Sequence, residues 1–306
     1  MKQISWWNGQ TVTDAELSVN VFDLGFVLGV TVSEQLRTFG GRLFHPDEHL
    51  QRLKRSLQII GVHNVDLQNL REQAMHIASH NHALLSPGDD LGLTIIVTPG
   101  RHGVSDGGDC VPTVGIYTTP LPFHRWADLY ESGETLVVST IRQVPGNCWP
   151  EELKCRSRMH YYLADREARQ KKSGARALLL DQDGFMAEAS TAGVLLYRAD
   201  EGIVAPRADK VLPSISVGVI RQLAAEQNID FVHRDIRPDE VVSADEVFLT
   251  STSPCILPVV SVDGNSIGDG TPGRVYRRIL SAWSNYVQVD IARQARQFAT
   301  RQPSAM

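Results

Sequence analysis

Between residues 32 and 118 the apolar pattern changes from strand-like to helical and back, and this restricts the fold more than any other feature. Val32 to Phe39 reads as a strand, closed by the turn Gly40-Gly41. From Pro46 to Ile60 the spacing is helical: Leu50, Leu53, Leu57 and Ile60 share one face, and Pro46 suits a first turn. Leu67 to Leu84 reads as a second amphipathic helix, and Leu91 to Thr98 and Thr113 to Thr118 as buried strands. Upstream, Trp7-Asn8-Gly9-Gln10 reads as a hairpin turn. Two helices among several strands and hairpins indicate an α+β fold rather than a doubly wound α/β one.

The chain has 306 residues, enough for two medium domains. Residues 119–124 read as an interdomain linker, because Pro120 and Pro122 stiffen an extended chain. This gives an N-terminal domain over 1–118, a C-terminal domain over 125–290, and a polar tail over 291–306 that is expected to fray if helical. In the second domain Glu134 to Ile141, Ala177 to Leu180, Ala189 to Tyr197 and Glu246 to Thr250 read as strands. Tyr161 to Ser173, Ser216 to Gln227 and Tyr276 to Tyr286 read as helices.

The net charge of −5 argues against a nucleic-acid partner, which favours a basic face. No apolar run spans a bilayer and the N-terminus lacks a hydrophobic signal core, so the expected location is the cytoplasm, away from the membrane. Cys110, Cys148, Cys155 and Cys255 are scattered, which speaks against a disulfide framework or a zinc site. His76, His80 and His82 have helical spacing but no accompanying HExxH pattern, and read as a helix end rather than a metal site. The glycine-rich stretch from Gly100 to Gly108 lacks the Gly-Lys-Ser/Thr of a nucleotide loop.

Lysine is scarce: Lys2, Lys54, Lys154, Lys171, Lys172 and Lys210 are all there are. A lysine that reacts at neutral pH needs burial or cationic neighbours, and Lys154 has Arg156 and Arg158 close in sequence. Taken alone, Lys154 still reads as a solvated side chain in a charged loop. Its setting changes that reading. Asp23-Leu24-Gly25-Phe26-Val27-Leu28-Gly29 with Glu34 resembles a "D-x-G-x-x-x-G…E" segment. Glu48-His49 with Arg52-Leu53 and Ser56 resembles "EH-x-x-RL-x-x-S". Lys154 lies fourteen residues before Ala168, in the run Asp165-Arg166-Glu167-Ala168. Asp183-Gly184 with Glu188 and Ser190 is similar to "DG-x-x-x-E-x-S", and Ala244-Asp245-Glu246-Val247-Phe248 with Thr252 and Pro258-Val259 to "ADE-x-F…T…PV". In order and spacing, this series resembles the class IV pyridoxal-phosphate aminotransferases.

The resemblance implies the two-domain fold-type IV architecture, D-amino-acid aminotransferase-like, in a homodimer with the cofactor between the domains. It implies Lys154 as the Schiff-base lysine, Glu188 opposite the ring nitrogen, and Arg52, Ile215, Ser216 and Thr252 around the phosphate. Ser253, Arg37, Arg101 and His102 become candidates for the substrate carboxylate, with Arg156 and Arg158 behind them. Without the resemblance, Glu188 reads as a surface carboxylate and Arg52 as a solvated helix residue. The implied reaction moves an amino group between a branched-chain or D-amino acid and a 2-oxo acid. Departures from the family pattern fall at Val30, Ser33, Ser214-Ile215-Ser216-Val217 and Gly193, in the expected substrate pocket and phosphate loop. They leave aminodeoxychorismate lyase and a non-catalytic cofactor-binding protein as rival readings.

Overall fold

Asn8 and Gly9 take positive φ angles of 48° and 90° and close a two-residue hairpin, with Trp7 paired to Gln10. Such a loop matches the right-handed twist of the strands it joins. The computed structural model describes residues 2–101 and 111–301. It comprises two units. One holds Met1–Leu121, Glu152–Ser157 and the residues from Arg301; the other holds Pro122–Glu151 and Arg158–Thr300.

The first unit is built on a six-stranded antiparallel sheet. Its order is Gln10–Val12, Ser5–Trp7, Thr113–Pro120, Leu91–Thr98, Val32–Phe39, Arg42–Leu43. The helices Pro46–Ile59 and Leu67–His82 pack on it. Leu36, Leu53, Leu70, Ile77, Leu93, Ile95 and Ile116 form one buried cluster between the layers. The apolar faces read from the sequence are the faces used, and the first-turn proline stands at the start of its helix. Asn81, buried on the second helix, secures the first strand. It accepts from the Ile4 N–H at 3.0 Å and donates to the Ile4 carbonyl at 2.7 Å and to Thr118 Oγ1 at 2.8 Å.

The second unit contains a sheet that closes on itself. The ring runs Ala192–Arg198, Glu246–Ser251, Cys255–Val262, Glu134–Val138, Arg176–Leu180, Met186–Ala189 and back to Ala192–Arg198. Met186–Ala189 is only four residues long, yet it pairs on both edges. Gly202–Ala205 and Phe231–His233 extend the sheet beside the far end of Ala192–Arg198. The helix Met159–Lys171 buries Ala164 and Ala168 against the ring. The segment after Asp290 differs from the expected fraying tail. Ile291–Phe298 is a helix that buries Ile291, Ala292 and Ala295, and Phe298 meets Phe123 with ring centroids 6.3 Å apart. Arg293, Arg296 and Gln297 occupy the outer face, while Gln294 is buried with the apolar stripe, so mean polarity concealed an amphipathic helix. Among the described residues no helix is long and apolar enough to cross a membrane.

Replacing Asn81 by leucine leaves the Ile4 N–H and carbonyl without their partner. The expected cost is about 2–3 kcal/mol, that of orphaned buried polar groups, read from the urea midpoint at unchanged slope.

Candidate active site

In the first unit, Val32–Phe39 alternates its side chains between two faces. Glu34 points to the helix Pro46–Ile59 and is fully buried. His49 and Arg52, three residues apart on one side of that helix, both reach it. Arg52 donates from Nε to Oε1 at 2.8 Å and from Nη2 to Oε2 at 2.7 Å, a forked pair. His49 Nδ1 lies 2.7 Å from Oε2. Burial alone would raise the Glu34 carboxyl, but the hydrogen bonds and charge of Arg52, aided by His49, hold it at about 2. Burial pushes His49 below its ordinary value, against the pull of Glu34. Facing an ionised carboxylate, Nδ1 carries the imidazole proton, and Nε2 is left as an acceptor without a hydrogen-bond partner among the described residues.

Lys154 is seated against the same strand. The Ser33 N–H donates to the Lys154 carbonyl at 3.1 Å, Val32 bridges Cys155, and the Arg156 N–H donates to the Thr31 carbonyl at 2.7 Å. The Lys154 N–H donates to Ser56 Oγ at 3.2 Å, which ties it to the helix that carries Arg52. Its side chain is half-buried, and its charge is felt at His49. Ser33 accepts from Arg156 Nε at 3.0 Å. Arg37 lies on the Ser33 face, fully buried, with its guanidinium 4.0 Å from the Phe39 ring centroid and Nε donating to the Thr38 carbonyl. Arg101 is exposed near the Phe22 ring, and His102 lies outside the described residues.

In the second unit a row crosses three neighbouring strands: Glu188 pairs with Gly193, and Gly193 with Thr250. Paired residues share a face of the sheet. Glu188, buried, accepts from the Tyr161 hydroxyl at 2.7 Å and from the Leu212 N–H at 2.8 Å. Burial, then the Glu188 charge, pushes the Tyr161 phenol well above its ordinary value, so it remains a donor. Gly193 is where the helix Ile215–Glu226 comes close. A Cβ there would meet Val217 Cγ2 at 3.2 Å and Thr250 Cγ2 at 3.4 Å. Ser214 caps this helix by accepting from the Val217 N–H at 3.3 Å. The Ile215 and Ser216 N–H groups belong to the first turn, which the helix's own ladder does not use. Thr252 and Ser253 are half-buried in the turn between Glu246–Ser251 and Cys255–Val262. Thr250 Oγ1 and Tyr130 OH fix that turn by donating to the carbonyls of Cys255 and Pro254.

A family model described as amino-transferase class IV matches residues 31–262. The chain belongs to the class IV aminotransferases. This aminotransferase is similar to the D-alanine aminotransferase of Bacillus licheniformis, 27% identical over 290 residues, covering 94% of this chain and 98% of that one. Among solved structures it resembles the Escherichia coli branched-chain amino acid aminotransferase, with a TM-score of 0.85, 25% identity and coverage of 93% and 94%. It also shares the fold of the branched-chain aminotransferase of Thermoproteus uzoniensis solved with norvaline, with a TM-score of 0.83, 21% identity and coverage of 99% of both chains. The fold-type IV architecture expected from the motifs is therefore the one adopted.

The residues of this class IV chain fit pyridoxal phosphate. The second unit offers a first turn whose N–H groups the helix ladder does not use, a hydroxyl-bearing turn and a buried carboxylate, groups that suit a phosphorylated pyridine; the first unit, by itself, offers a half-buried lysine. Three contributors were not assigned roles from sequence. His49 stood inside a quoted motif without a task. Tyr161 read only as the start of a helix. The Leu212 N–H is a backbone group, which no side-chain pattern can announce.

The Glu34 carboxyl falls from 4.5 to about 2 on folding, so its stabilisation is complete above pH 4.5 and disappears as the pH drops through about 2. Glu34→Gln should cost about 3–5 kcal/mol at pH 7, because Arg52 loses its buried counter-charge. The gap to the unsubstituted protein should narrow between pH 4.5 and about 2 in denaturation curves recorded against pH.

Proposed function

We propose that this chain is a pyridoxal-phosphate-dependent transaminase that moves an amino group between a branched-chain or D-amino acid and a 2-oxo acid. The observation carrying this reading is the buried Glu188 carboxylate, held by Tyr161 and the Leu212 N–H in line with Gly193 and Thr250. When bound, the cofactor supplies a protonated ring that takes up the electron pair left by breaking the substrate Cα–H bond.

The residues divide the remaining work. Lys154 Nζ would hold the cofactor covalently and, once the substrate's amine has displaced it, would be the free base that accepts the Cα proton. Glu188 would accept from the ring N–H, and the Tyr161 hydroxyl and Leu212 N–H keep it from turning away. Ile215 and Ser216 donate backbone N–H groups to the phosphate, where the helix dipole favours an anion. Thr252 adds a hydroxyl. Arg52 adds positive charge, with the guanidinium edge facing Glu34 already engaged. Arg37, Arg101, His102 and the Ser253 N–H remain the candidates for the substrate carboxylate. The names of the relatives divide between D-alanine and branched-chain enzymes, which supports small or branched apolar substrates.

Purified protein mixed with L- and D-amino acids should lose the visible band of the bound cofactor with one class of donor, and a 2-oxo acid should restore it. Lys154→Ala should lose that band and at least about a thousandfold in turnover, the scale of losing a nucleophile. A band that survives Lys154→Ala would place the anchor elsewhere. Pyruvate release from aminodeoxychorismate without an acceptor would move the reading to the lyase.

We further propose a homodimer formed through the segment 19–28. Val21, Phe22, Phe26 and Leu28 are exposed by 63%, 56%, 71% and 64%, more apolar surface than a monomer normally leaves together. Light scattering should give twice the monomer mass, and Phe26→Asp should shift the protein towards the monomer.

A further inference from the structure

The loop 206–214 joins the strand Gly202–Ala205 to the helix Ile215–Glu226 and carries two groups already described, the Leu212 N–H on Glu188 and the Ser214 cap. Lys210, two residues before Leu212, holds the loop from outside. Its Nζ lies 2.8 Å from Asp181 Oδ2, 3.0 Å from Asp235 Oδ1 and 3.4 Å from Asp183 Oδ2. It also lies 4.9 Å from the Phe185 ring centroid. The sequence neighbour Asp209 is not a partner, because Arg207 engages it at 2.7 and 2.9 Å.

The partners of Lys210 fix the strand that bears Glu188. Asp181 Oδ1 accepts from the N–H groups of Asp183 and Phe185, each at 2.9 Å, and forms the turn that leads into Met186–Ala189. Asp235 precedes Ile236, whose carbonyl accepts the Met186 N–H at 2.8 Å. One ammonium therefore ties the donor loop to both segments that set the entry of the acceptor strand. Without it, Asp181, Asp183 and Asp235 would face one another as like charges.

We propose that Lys210 is a positioning residue: through the Asp181–Asp235 clamp it keeps the Leu212 N–H on Glu188 and the Ser214-capped helix start in place. This rests on the reading of Glu188 as the partner of the ring nitrogen. A salt bridge near the surface adds little to global stability, so the effect should be local.

The test compares Lys210→Met, Lys210→Arg and Asp235→Asn with the unsubstituted protein, each with and without pyridoxal phosphate. Amide exchange is followed at Leu212 and, as a control, in the helix Arg274–Val287. Lys210→Met should raise Leu212 exchange about tenfold and leave the control helix unchanged, matching one lost hydrogen bond to a charged group. Turnover should fall by a similar factor with KM for the amino acid nearly unchanged, and Lys210→Arg should restore both. Asp235→Asn should shift exchange in the same direction by less, and it carries the test if Lys210→Met does not fold. Unchanged Leu212 exchange, or lost turnover with Leu212 still protected, overturns the proposal. If the unsubstituted protein binds no pyridoxal phosphate, the reading of the site fails and the ring-nitrogen role with it. The exchange comparison without cofactor then still decides whether the clamp exists.

Discussion

A carboxylate withdrawn completely from water has to be neutralised where it stands, and Glu34 imposes that demand on the first unit. The demand fixes the rotation of the helix Pro46–Ile59 about its own axis. His49 and Arg52 must face the strand, and Leu50, Leu53 and Leu57 then fall into the core. The amine is indexed to the same place, since the residue next to Glu34 donates its N–H to the Lys154 carbonyl. Arg52 and the segment bearing Lys154 are thus both referred to one strand.

The second unit solves a related problem with backbone. Glu188 lies on a four-residue strand that is paired on both edges, which fixes it. One of its donors is a phenol on a helix, the other a main-chain N–H from a loop. Gly193, where the family often carries asparagine, leaves the space that Val217, at the start of the helix Ile215–Glu226, and Thr250, on the neighbouring strand, occupy. This departure reads as a packing change that brings a helix close, rather than as a lost contact.

Much of this was legible in the sequence because it depended on local periodicity. The leucine spacing of Pro46–Ile59, the Asn8-Gly9 turn and the strand Val32–Phe39 each follow from side chains within a few residues of one another. Features that depend on distant partners were hidden. Pro254 and Pro258 disguised Cys255–Val262, a strand paired on both sides, because a proline normally marks an edge. The carboxylates that Lys210 meets stand 25 to 29 residues away in sequence, where no local pattern points to them. Arg52 read as solvated because its counter-charge lies 18 residues earlier, on a different kind of element.

The seat of Lys154 also bears on how the chain reaches its native state. Arg156 and Ser33, which fasten that segment to the first sheet, are 123 residues apart in sequence. During synthesis the sheet from Ser5 to Pro120 can assemble as soon as it leaves the ribosome, but its edge beside Val32 has to wait for residues 154 to 157. Closing so long a loop costs only slightly more entropy than closing a short one, because the penalty grows with the logarithm of length. The delay is therefore one of timing rather than of stability. A nascent chain halted before residue 154 would carry a nearly finished first sheet without the Lys154 segment attached to it.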